Sequence, residues 1–230
     1  MIRLIACILV ILSFAVSANS VESTCYGSVS NGKLENGIKL PVSGRNFSAY
    51  SLLGNILGRT YLHSQAVDIV LTTYQALEQS AAGKVFTYGE TGWASGGRIR
   101  PHRTHRNGLS IDFMVPVINQ TNKSVFIPTG VINKFGYGLE FDENAKYKNY
   151  KIDFEAIAEH LYQLDIVAKA KGSSIALVIF DLSYLPKLFA SKHGEYLNTK
   201  VNFMKGNPWI RHDEHYHVDF SIPCKPMKDK

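Results

Sequence analysis

The stretch His212-Asp213-Glu214-His215-Tyr216-His217-Val218-Asp219-Phe220 ends in strict alternation. His215, His217 and Asp219 fall on one side of an extended chain, and Tyr216, Val218 and Phe220 on the other. Far upstream, Leu109, Ile111, Phe113 and Val115 alternate with Ser110, Asp112 and Met114. A period of two is the mark of a strand with one apolar face. An Asp among apolar neighbours is costly unless it finds a partner. Two such strands can pair in one sheet. That pairing would bring Asp112 and His217 together, with His105 on the loop that enters the first strand through Gly108.

Between and around these strands the chain reads as α+β: a small, mainly antiparallel sheet flanked by helices. Leu62, Ala66, Val70, Tyr74 and Leu77 predict a helix over 61–80, closed by Gly83. A strand is expected over 85–94. Asp153 caps a second helix whose stripe is Phe154, Ile157, Leu161, Leu164 and Ala168, with Gly172 at its end. The continuous apolar run 175–180 predicts a central strand, and 184–190 a short helix. Residues 119–150 are polar and turn-rich. No repeat, low-complexity segment or long linker divides the chain.

The N-terminus reads as an address. Arg3 precedes a thirteen-residue, mainly apolar run, Leu4 to Val16, followed by Ser17, Ala18, Asn19 and Ser20. A membrane span needs ~20 residues. The pattern matches a secretory signal peptide over 1–20, with cleavage near Ala18 or Ser20; an uncleaved anchor is the alternative. Residues 21–230 then form one domain. Cleavage removes Cys7 and leaves Cys25 and Cys224, which an oxidising compartment would join as a disulfide. The expected location is the periplasm or the exterior, with no stable membrane span once the signal is gone.

Composition excludes disorder: 45% of residues are hydrophobic and 19% charged. A chain of 230 residues buries enough surface to fold without a metal. The net charge of +6 permits an anionic partner without demanding nucleic acid, and none is expected.

Eight histidines are present, and five fall in two short segments: His102 and His105, then His212, His215 and His217. Two imidazoles and one carboxylate, with a position left for water, form a catalytic zinc set, here His105, Asp112 and His217. Such a set also needs a proton acceptor and an oxyanion donor, for which His212, Glu214 and His215 are available. His102 is either an extra metal neighbour or a solvated loop residue. Arg98, Arg100, Arg103 and Arg106 make a basic loop beside the set. Trp93 and Trp209 read as core, with walls of a cleft as the alternative use.

His105-x6-Asp112 followed by His215-x-His217 resembles the lysostaphin / D-alanyl-D-alanine peptidase / sonic hedgehog group of zinc peptidases. The three-histidine spacing of His212, His215 and His217 is similar to its penicillin-insensitive murein endopeptidase branch. The resemblance covers roughly residues 85–220. It implies one catalytic zinc ion held by His105, Asp112 and His217. His215 would stand beside the metal, helped by His212. It implies peptidoglycan peptides as substrate, cut at a D,D or L,D amide. In the related carboxypeptidase branch the position of Glu214 holds the general base. Strict alternation would turn Glu214 away from His217, so a bend must intervene, and the base stays divided between Glu214 and the His212/His215 pair. Two other readings compete: a zinc-retaining but inactive wall-binding or protein-interaction domain, and a metal-dependent nuclease suggested by the basic stretch 102–107.

Overall fold

The computed structural model describes residues 21–227, so the expected signal peptide over 1–20 lies outside the described residues. The fold is α+β. Its main sheet takes β1 (Phe47–Ala49), β2 (Phe86–Tyr88), β3 (Ser110–Met114), β4 (Ile175–Ile179) and β5 (His215–Phe220), and its two long helices are α1 (Ser64–Ser80) and α2 (Phe154–Ala170). The order across the sheet is β4-β5-β3-β2-β1. All neighbours are antiparallel except β1 and β2.

The central pair β3–β5 sets the register. His217 stands opposite Asp112, Tyr216 opposite Phe113 and Asp219 opposite Ser110. Every residue of both strands is buried, so the strands are not half-solvated as the alternation suggested. One face packs Ile111, Phe113, Tyr216, Val218 and Phe220 into the core. The other face, polar in sequence, is roofed by the irregular segments 89–108 and 131–137 rather than by water.

The helices match their expected stripes, with one shift. Helix α1 begins at Ser64, because Tyr61 and Leu62 pair with Ile38 and Lys39 as a short strand. His63 then caps it, its Nδ1 accepting from the Gln65 amide at 3.2 Å. Asp153 caps α2 by accepting from Ala156 N at 3.1 Å. Two strand expectations need correction. The 85–94 strand ends at Tyr88, since Glu90 and Thr91 leave the ladder to serve the polar face. The run 175–180 is the outermost strand of this sheet, not a central one; α2 packs on it, and its outer edge is bridged at Val178 by the Phe203 segment. Within 117–152 the turns carry a small four-stranded sheet of two- and three-residue strands. A helix over Gly194–Lys200 had no clear periodic signal.

Cys25 and Cys224 are joined, 199 residues apart in sequence. The tail runs beside a short strand at Thr24–Ser28, with Gly27 N donating to Lys225 O and Lys225 N to Cys25 O, both at 2.9 Å. No helix of the described residues is long and apolar enough to cross a membrane.

Closing so long a loop removes denatured-state entropy worth up to about 5 kcal/mol. The Cys25→Ser/Cys224→Ser variant is expected to unfold at a clearly lower denaturant midpoint than the oxidised protein; an unchanged midpoint would show that the bridge contributes nothing.

His160 of α2 lies directly behind the β3–β5 pair. Its ring packs among Tyr74, Phe86, Phe113 and Tyr216 and shares a 2.9 Å hydrogen bond with the Tyr216 hydroxyl. Burial pushes its pKa down to about 3. The folded state therefore keeps His160 neutral, while the unfolded chain protonates it near 6.5. Its stabilising contribution is complete above that pH and is lost as pH falls toward 3, by about 2 kcal/mol at pH 5. In metal-free protein, His160→Gln is expected to flatten the acid limb of a stability–pH curve by that amount.

Candidate metal centre

Three segments converge under the polar face of the sheet. The loop before β3 supplies His102 and His105, β3 supplies Asp112, and β5 supplies His215 and His217. Gly108 makes the approach to β3 passable: its φ is +77°, and a Cβ there would meet Leu34 Cδ2 at 2.7 Å and His63 N at 2.9 Å. His105 itself holds φ +63°, uncommon for a residue with a side chain.

His102, His105 and Asp112 present ligand atoms within 4.8 Å of one another and can hold a metal ion. His217 joins them. Its Nδ1 is 3.0 Å from His105 Nε2 and 2.9 Å from Asp112 Oδ1, and His105 Nε2 is 3.2 Å from the same oxygen. A tetrahedral ion with bonds of about 2.0–2.1 Å spaces its ligand atoms by roughly 3.3–3.4 Å. The observed spacings fall within a few tenths of that.

The surrounding hydrogen bonds decide what these three atoms are. His105 Nδ1 lies 2.9 Å from Thr91 O, a carbonyl that only accepts, so the proton of a neutral ring sits on Nδ1. His217 Nε2 lies 2.8 Å from Asp219 Oδ1, which also accepts from Ser110 Oγ at 2.6 Å. Burial would raise the Asp219 carboxyl, but the His217 ring beside it holds it lowered and ionised. The proton of neutral His217 therefore sits on Nε2. Both inner nitrogens carry lone pairs, aimed at each other and at a carboxylate oxygen. Three acceptors in contact repel unless a cation lies among them. Without a metal a proton takes that place: burial opposes charging His217, yet Asp219 and Asp112 outweigh it and lift its pKa to about 10. The donor set thus fits a divalent cation, and its outer partners fix ligand orientation as metal sites require.

The second layer is largely new relative to the sequence reading. Tyr137 donates to Asp112 Oδ2 at 2.9 Å and accepts from Glu90 N at 2.8 Å. His102 is only 13% exposed and not a solvated loop residue: its Nε2 is 2.6 Å from Glu90 Oε2, and its Nδ1 faces Asp112 Oδ2 at 3.7 Å. Arg59 and Tyr50 also bind Glu90, at 2.7 and 2.8 Å. Burial alone would raise the Glu90 carboxyl, but the bonds from His102 and Arg59 outweigh it and bring it down to about 2.

On the other side, a bend at Asp213 and Glu214 precedes β5 and breaks the alternation. Asp213 turns away and accepts from Phe141 N at 2.7 Å. Glu214 turns into the cleft, where its Oε1 shares a 2.9 Å hydrogen bond with His215 Nδ1. Burial pushes Glu214 up to about 8 and His215 down to about 4, so near neutrality the pair is held without net charge. His215 Nε2 faces the centre, 3.9 Å from Asp112 Oδ2. His212 donates through Nδ1 to Ile210 O at 2.7 Å and packs on His215, ring centroids 4.6 Å apart.

Glu90, His102, Asp112, Tyr137, His212, Glu214, His215 and His217 line one cleft of about 560 Å³, while His105 lies fully buried behind them. Trp209 stands on its wall, 39% exposed, and Trp93 is half-buried under Arg59, so neither is core. Of the basic loop, only Arg103 lines the cleft; Arg98 and Arg100 face solvent, and Arg106 is half-buried with its Nε unpartnered. Sequence had shown Asp219 on the face of His217. Glu90 and Tyr137 carried no signal, because neither belongs to a periodic element.

No protein-family model matches this chain, and no curated protein matches it either.

Purified protein is expected to retain one divalent ion per chain through dialysis, read by elemental analysis. Asp112→Ala should abolish retention. Tyr137→Phe should keep the fold and weaken affinity roughly 10- to 100-fold, the usual cost of an outer-shell partner. Equal metal content in all three would remove the cation from this cluster.

Proposed function

We propose that the protein is an exported, zinc-dependent peptidoglycan endopeptidase that hydrolyses an amide in cell-wall peptides. What carries the reading is the convergence of the His105, Asp112 and His217 lone pairs at the foot of a cleft, with the His215–Glu214 pair beside them. The motif resemblance supplies the substrate class. The Cys25–Cys224 disulfide is compatible with export into an oxidising compartment.

His105, Asp112 and His217 would hold the ion, with His102 as a neighbour. Zinc held there would supply a Lewis acid that lowers the pKa of bound water to about 7 and polarises the scissile carbonyl. The remaining work falls to side chains. His215, with its Nε2 free toward the centre and its Nδ1 held by Glu214, takes the proton and returns it to the leaving amine. Glu214 also lines the cleft but is engaged with Nδ1 of that ring, and on this reading we assign the general base to His215. His212, its Nδ1 tied to Ile210 O, buttresses the ring. Trp209 and Ile210 shield the reacting amide from bulk water.

Zinc-loaded mature protein is expected to release soluble muropeptides from purified sacculi, with mass spectrometry reading the bond cut. His215→Ala should retain zinc and lose roughly 10²–10⁴-fold in turnover, the range of a general base. Intact sacculi with full zinc would overturn the peptidase reading in favour of a binding domain; cleavage of DNA instead would favour a nuclease.

A further inference from the structure

The mouth of the cleft has an unbalanced charge. Among its lining groups, Glu90 is neutralised by Arg59 and His102, Asp112 belongs to the cation cluster, and Glu214 is engaged with His215. Two exposed cations remain, Arg103 and Lys134, and neither has a carboxylate within ion-pair distance among the described residues. They come from separate segments, and each is held.

The Arg103 guanidinium lies over the Trp209 ring, 5.3 Å from its centroid. A guanidinium stacked on an indole keeps its N–H edge free, the edge that grips a carboxylate with two bonds. Lys134 lies in the turn Val131–Gly136, where Lys134 and Phe135 both take left-handed conformations, φ +52° and +58°. Such conformations persist in residues with side chains only when the surroundings enforce them. Here the Asn133 side chain donates to Pro128 O at 2.6 Å and accepts from Gly136 N at 3.1 Å, while Phe135 packs edge-on against Tyr50. The same turn delivers Tyr137 to Asp112, so the backbone that carries Lys134 is fixed relative to the metal cluster.

We infer that Arg103 and Lys134 are specificity-determining residues that recognise free carboxylates on the substrate, selecting acidic peptides over their amidated forms. This rests on the peptidase reading of the cleft. Arg98 and Arg100, though basic and close in sequence, take no part because they do not line it.

The test uses two synthetic cross-linked stem peptides of one sequence, one with free carboxylates and one with carboxamides, against zinc-loaded full-length mature protein. Cleavage gives kcat and KM, and calorimetry gives binding. Wild type is expected to favour the carboxylate peptide by roughly tenfold or more in kcat/KM, mainly through KM, as for a charge-assisted hydrogen bond. Arg103→Ala and Lys134→Ala should each move that ratio toward one with zinc content unchanged. Arg103→Lys should recover part of it, and Arg98→Ala should leave it alone. Equal handling of the two peptides by wild type, or variants that lower both alike, overturns the inference. Carboxylate-dependent binding without cleavage, lost in Arg103→Ala, supports it while overturning the peptidase reading. Neither binding preference nor cleavage overturns both.

Discussion

Three acceptor atoms meet inside this protein with no room for water between them. His105 Nε2, His217 Nδ1 and Asp112 Oδ1 lie 2.9–3.2 Å apart, and the Thr91 carbonyl and Asp219 carboxylate hold the ring protons on the far sides. Buried lone pairs in mutual contact are unfavourable by several kcal/mol unless a cation sits among them. The β3–β5 register creates this arrangement by setting His217 opposite Asp112. The apolar face of the same two strands carries the opposite load, packing Phe113 and Tyr216 around the neutral His160. One ladder thus fixes the core and the centre together, and a slip of one residue would exchange their faces.

The shell around the centre has two halves. On one side Glu90 collects Arg59, Tyr50 and His102 and is strongly ionised; on the other, Glu214 is pushed by burial toward its neutral form and leans on His215. Two buried carboxyls with opposed pKa shifts thus play different parts: one anchors positive charge, the other orients a neutral imidazole. Irregular backbone makes this possible. The bend at Asp213–Glu214 sends one carboxylate into the 140s loop and the next into the cleft. The left-handed turn at Lys134 and Phe135 delivers Tyr137 to Asp112.

Much of this was legible in the chain. Alternation over 109–115 and 215–220 identified two pairing strands and the residues each would turn to the centre. Asp153 and the apolar stripe after it located α2 almost to the residue. The odd cysteine count, read with the apolar leader, pointed to Cys25–Cys224. The run 175–180 misled because an edge strand covered by a helix is as apolar as a central one. Trp209 misled because an aromatic on a cleft wall has the same composition as one in the core.

By itself, the sequence determined the class of fold, the two strands and the ligand-type residues, because periodicity and residue chemistry are local properties. Only the tertiary structure decided which hydrogen each imidazole carries, that Glu214 faces His215, and that Glu90 and Tyr137 belong to the centre. Some of those facts depend on local backbone bends, as at Asp213–Glu214, and others on contacts between segments far apart in the chain. Tyr137 lies 25 residues from Asp112, in a turn without any period. Charge, burial and tautomer are set by neighbours in space, and the linear order does not name them.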